Sequence, residues 1–183
     1  PDGVADGTGQ FAVSMAAAGI APDEVSHIAM THLHIDHVGG LAGQEGAAAF
    51  ANAELIAGAG DWEFFHSEAR AATLSEAGRR SMMVSRRSVA PYAGRRREAT
   101  GETTVVAGVT MLALPGHTPG HSGILVEDGG EQLLIWGDVV HNEALQMAEP
   151  GWGVAFDADI DMARATREVL FDRTAKDGIR VAG

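Results

Sequence analysis

Apolar positions along the chain come in short runs broken by glycine, proline or charge, and the length and spacing of each run predict an element. The small, apolar stretch from Gln10 to Ala18 predicts a helix that Gly19 ends, and Ile20 to Val25 predicts a turn and a short helical step. His27 to Met30 and Ala53 to Ala57 are brief apolar runs of strand length, separated by alanine-rich sequence. Asp61 to about Arg97 mixes aromatics, methionines and paired arginines, and predicts a mostly helical insertion. Val105-Val106 and Val109 to Leu114 predict strands around Gly108, and Gly123 to Glu127 with Gln132 to Trp136 predict a hairpin across Asp128-Gly129-Gly130. Ile160 to Ala175 predicts an amphipathic helix capped by Asp159, with Met162, Ala165, Val169, Leu170 and Phe171 facing inward. Ile179 to Ala182 predicts a last strand.

The chemistry is concentrated where the first of these strands ends. Thr31-His32-Leu33-His34-Ile35-Asp36-His37-Val38-Gly39-Gly40 packs three imidazoles and a carboxylate into six positions. Neutral imidazole and carboxylate are the ligands that borderline divalent ions take, and the chain has no cysteine to offer a thiolate instead. In extended backbone residues two apart point the same way, so His32 and His34 can hold one ion together. A turn that begins at Asp36 aims Asp36 and His37 at a second point nearby. Two neighbouring ions fit this arrangement better than one. Further on, the turn Pro115-Gly116-His117-Thr118-Pro119-Gly120-His121 is held by its prolines and glycines, and Gly137-Asp138 follows an apolar strand. A rigid loop suits a metal ligand, because a group already held in place loses little entropy on binding.

With these three motifs in this order, the sequence resembles the metallo-β-lactamase-fold hydrolases, and within them the methyl parathion hydrolase and lactonase-like branch. The resemblance implies an α/β fold, a four-layer αββα sandwich with helices outside two mostly antiparallel sheets. It implies a first ion on His32, His34 and His117, a second on Asp36 and His37, and Asp138 bridging the two, with His121 free to hydrogen-bond its own loop. Two divalent cations are expected, zinc first, with Mn, Fe or Co also suited to such ligands. Water activated between them would attack a carbonyl or phosphoryl centre, with Asp36 moving a proton to the leaving group. The insertion is expected to overhang the site, so Trp62 and Phe65, together with Trp152 and Phe156, are candidate walls for a small uncharged ester, lactone or organophosphate triester. A glyoxalase-II-like thioesterase and a metal-binding but inactive domain are the alternatives. His27, His66 and His141 are read as surface or packing residues. The resemblance also places the fold's opening strands before Pro1 and a further ligand histidine just past the last strand, so the chain reads as partial at both ends.

Composition narrows the partners. The 183 residues are one domain's worth, and 45% hydrophobic content is ordinary for a folded core. A formal charge of −12 disfavours nucleic acid, whose binding rests on Lys and Arg displacing counterions. No apolar run reaches the roughly 20 residues that span a bilayer. The expected partner is a small molecule, and a homodimer is compatible with the sequence. The absence of cysteine leaves the compartment, cytoplasmic or periplasmic, open.

Overall fold

The computed structural model describes residues 10–183 apart from Gln44. In chain order its elements are α1 (Phe11–Ala17), β1 (His27–Ala29), α2 (Ile35–Val38), β2 (Glu54–Gly58), α3 (Ala59–His66), α4 (Glu68–Thr73), α5 (Glu76–Val89), β3 (Arg96–Ala99), β4 (Thr103–Val106), β5 (Val109–Ala113), β6 (Ser122–Asp128), β7 (Glu131–Ile135), α6 (Glu143–Gln146), α7 (Ile160–Asp177) and β8 (Arg180–Ala182). Among the described residues no helix is long and apolar enough to cross a membrane.

The strands form two sheets, ordered β1-β2-β3 and β4-β5-β6-β7-β8. Alternation along the central strands sends neighbouring residues into different layers. Ile56, Ala99, Met111 and Ile124, from both sheets, pack on one another and form the layer between them. Leu55 and Ala57 point the other way, into a cluster with Trp62, Phe65, Val89 and Tyr92 from the helical side. Leu112, Leu125 and Leu134 likewise leave the second sheet to meet Leu170 of α7. Three apolar interfaces separate four layers, helix, sheet, sheet, helix, as expected.

Several expectations need correction. Among the described residues the first sheet is wholly parallel rather than mostly antiparallel. Its strands are joined by long connections that carry helices, which is how parallel neighbours are linked, and its central strand is buried on both faces. The antiparallel expectation describes the second sheet, apart from β8, which pairs parallel with β7. The helical insertion stops sooner than Arg97, because Arg96 and Arg97 belong to β3, where Arg97 pairs with Glu54 at 2.9 Å. Helix α7 is capped by Asp159, whose Oδ1 accepts the Met162 N–H, but its inner face is Ala163, Arg167, Leu170 and Thr174. Val169 is 69% exposed and Met162 is half in water. The phase shifts because a buried arginine sits on the inner face, and a purely apolar reading places it outside.

Candidate metal centre

Three loops converge at one edge of the sheet pair. Beyond β1 the chain stays extended through His34, with the Met30 N–H on Ile56 O and Thr31 O accepting the Ser122 N–H, so His32 and His34 project from a backbone held on both sides. The second loop closes on itself, with the Leu114 N–H bonded to His121 O and the His121 N–H to Thr118 O, and it presents His117. The third loop turns at Gly137, whose φ of +55° and lack of a side chain are both required. A Cβ there would lie 2.9 Å from Thr31 Cβ and 3.0 Å from His121 Nε2. Asp138 follows directly.

The imidazoles and carboxylate gather closely. His34 Nδ1 is 2.9 Å from His117 Nε2, and Asp138 lies 3.2 Å from His37 Nε2, 3.2 Å from His141 Nε2 and 3.4 Å from His117 Nε2. Three overlapping donor groups result: His32, His34 and His117; His32, His37 and Asp138; His117, Asp138 and His141, each with its donor atoms within 4.8 Å of one another. His32 Nε2 is buried and has no hydrogen-bond partner, although its Nδ1 meets the Thr31 hydroxyl at 3.2 Å. A buried ring nitrogen without a hydrogen-bond partner, surrounded by further ligand-type atoms, is what a divalent cation completes. These residues therefore fit such an ion.

Electrostatics keep these donor groups in the form a cation needs. Burial holds His32 far below the usual imidazole range, and it lowers His34 to about 4 with help from His117. Both are neutral at physiological pH. Burial alone would raise Asp138, but hydrogen bonds from His141 and His37 outweigh it and keep the carboxyl well below its usual range. The same carboxylate raises His37.

Behind these donor groups lies a second set of contacts that orient them. Asp157 accepts from His117 Nδ1 at 3.1 Å, which leaves Nε2 to face the cluster. His121 is 1% exposed; its Nδ1–H donates to Leu114 O at 3.0 Å and its Nε2 accepts the Asp138 N–H at 3.1 Å. It thus ties the second loop to the third, in keeping with a loop-bonding rather than ligand role. Gln146 Oε1 accepts the His141 N–H at 2.7 Å while its Nε2 donates to Trp152 O. Arg167, fully buried, donates to Val139 O, Pro150 O and Trp152 O, and so fixes the chain on both sides of His141.

A family model described as the metallo-beta-lactamase superfamily matches residues 2–181. The chain belongs to the metallo-beta-lactamase superfamily. An N-acyl homoserine lactonase from a Bacillus species is 30% identical over 109 residues, which is 60% of this chain and 36% of that protein. The crystal structure of the hydrolase AbOPH, described as in the beta lactamase superfamily, superposes with a TM-score of 0.85 at 29% identity, covering 95% of this chain and 61% of that one. An N-acyl homoserine lactone hydrolase, solved with the product N-hexanoyl-L-homoserine at its catalytic metal centre, superposes with a TM-score of 0.66 at 26% identity, over 92% of this chain and 58% of that one. The chain thus spans little more than a third to three fifths of these relatives.

In this superfamily member the cluster opens into a cavity of about 510 Å³. His34, His117, Asp138 and His141 line its polar side; Ile35, Phe156 and Ser81 of the insertion helix α5 line the rest. The insertion borders the site, but not through the aromatics expected to do so. Trp62 is 5% exposed, packed in the outer core and set beside a different depression with His66 and Arg96. Phe65 is buried behind His34, edge to face at 5.3 Å, so it supports the ligand and does not reach the cavity. Trp152 is half exposed and enters the site region through its carbonyl. Of the four, Phe156 alone lines the cavity, at 74% exposure. Asp36 also lines it, 3.6 Å from His37, yet it stands outside all three donor groups. The cause is local: α2 begins at Ile35, and consecutive helical positions diverge by about 100°. His141 and Asp157 are the contributions that sequence reasoning missed. The three-residue step from Asp138 to His141 was the available signal for the first; the second acts through the fold and carries none.

Proposed function

We propose that the chain carries a binuclear metal-dependent hydrolase site for small uncharged lactones and related esters. The observation that carries this reading is the buried, partnerless His32 nitrogen within a cluster of four other histidines and an aspartate that opens onto a cavity with an exposed aromatic wall. The relatives named as N-acyl homoserine lactonases support lactones ahead of other esters. His32, His34 and His117 would hold one ion, and His37 and Asp138 would contribute to holding the other. Bound there, divalent ions polarise a carbonyl or phosphoryl oxygen and bring the pKa of water toward neutrality.

The chain's own residues do the rest. Asp157 fixes the tautomer of His117, and His121 holds the backbone of Asp138, so the ligands need no rearrangement. Phe156 and Ile35 give the substrate's apolar part a surface and keep water from that side of the cavity. Asp36, exposed at the cavity wall, would accept the proton released by the attacking water and pass it to the departing oxygen. An aryl phosphotriester offers the same kind of uncharged electrophile and is the second class to assay.

The test is a panel of one N-acyl lactone, one aryl ester and one phosphotriester, run on the protein and on Asp36→Asn. Lactone turnover should exceed the others, and Asp36→Asn should lose about 100-fold in kcat while keeping its metal content. Equal losses of metal and kcat contradict the proton-transfer role; no turnover of any class contradicts the reading.

A further inference from the structure

The buried carboxylate of Asp61 lies outside every donor group, yet it touches two of the three loops that make them. Asp61 is 0% exposed in the first turn of α3. Its Oδ2 accepts the Leu33 N–H at 2.8 Å, from the residue between His32 and His34. Its Oδ1 accepts the Gly120 N–H at 2.8 Å, from the loop that presents His117. These partners lie 28 residues before it and 59 after it. A second feature converges on the same place. A Cβ at Gly58 would meet Gly120 O at 2.0 Å, one at Gly60 would meet Pro119 C at 2.9 Å, and one at Gly120 would meet Asp61 N at 2.3 Å. The seam between the start of the insertion and the second ligand loop is therefore backbone against backbone, with side chains excluded on both sides and the Asp61 carboxylate reaching through to the first loop.

We propose that Asp61 is a positioning residue that sets the separation of the two histidine loops, so that His32 and His34 from one and His117 from the other meet at a single ion. This rests on the reading that the cluster binds divalent metal. The physical reason is the acceptor count. A carboxylate offers an oxygen to each amide, whereas an asparagine turns its NH₂ toward one of two N–H donors and forces that loop away. Because α3 opens the insertion, the same carboxylate also fastens the insertion to the site it borders.

The experiment uses Asp61→Asn and Asp61→Glu with Zn²⁺ alone as the probe, its dissociation constant read by competition with a chromophoric chelator. Hydrogen exchange at Leu33 and Gly120 is followed in the metal-free protein. Asp61→Asn should bind zinc about 10–100-fold more weakly, as measured when partners behind metal ligands are removed. Its lost turnover should return as zinc is raised, which a purely structural defect would not allow. Asp61→Glu, keeping both acceptors on a longer arm, should fall between. Zinc affinity within twofold of the unsubstituted protein overturns the proposal. So does exchange of the Leu33 and Gly120 amides in the unsubstituted protein at the rate of open loops, a result that needs no variant to fold. If the unsubstituted protein binds no zinc, the metal reading falls, and the exchange rates still judge the Asp61 anchor.

Discussion

At the scale of single residues the centre depends on imidazoles kept neutral by burial. His121 shows the point most cleanly, because its two bonds require one tautomer: a proton on Nδ1 for Leu114 O and a lone pair on Nε2 for the Asp138 N–H. Burial, aided by His117, lowers it to about 3. The unfolded chain takes up that proton near pH 6.5, so between the two values the unfolded state binds more protons and stability falls as the pH is lowered. His37, raised by Asp138, contributes in the opposite sense, so a difference measurement is needed. Comparing the metal-free protein with His121→Gln by urea unfolding, the stability advantage of the unsubstituted protein should shrink below pH 6.5 by about 1.4 kcal/mol per pH unit. An advantage that is flat from pH 5 to 7 would contradict the neutral assignment. His121 was legible as a loop-bonding residue because it shares a rigid turn with His117. Asp157 was not, since a loop residue forty positions away gives no sign of the ring it orients.

Among the elements, the turns and strands of the second sheet were the most readable. Gly129 and Gly130 both adopt positive φ in the hairpin, as that turn demands, and Asp159 caps its helix as expected. The face of α7 was not readable, because Arg167 is buried by hydrogen bonds to carbonyls that lie far away in sequence and leave no periodic trace. The parallel order of the first sheet was hidden for a related reason: short apolar runs state burial but not direction. Replacing Arg167 with methionine, which keeps much of its volume, strands the carbonyls of Val139 and Pro150 and leaves that of Trp152 to Gln146 alone. Such loss of donors to buried acceptors should cost roughly 3 kcal/mol, read as a lower urea midpoint. A change within about 0.5 kcal/mol, the range of surface substitutions, would mean that the network is not needed to hold those loops.

For the whole molecule, four layers serve to bring three loops of distant sequence origin to one edge. The motif at His32 to His37 made the superfamily visible from the sequence, because imidazoles and a carboxylate at that spacing have few other uses. The cavity wall was not visible: aromatic residues serve cores and pockets alike, and of Trp62, Phe65, Trp152 and Phe156 only the last faces the open space. The substrate class rests on that wall and on the relatives, whereas the claim beneath both is that the cluster holds two divalent ions. Elemental analysis of protein purified without added metal, before and after equilibration with zinc and again after chelation, addresses it directly. A binuclear centre should show about two ions per chain after equilibration, with hydrolysis lost on chelation and restored with zinc. Hydrolysis that survives removal of all metal, or zinc that never exceeds a small fraction of an ion per chain, would contradict it.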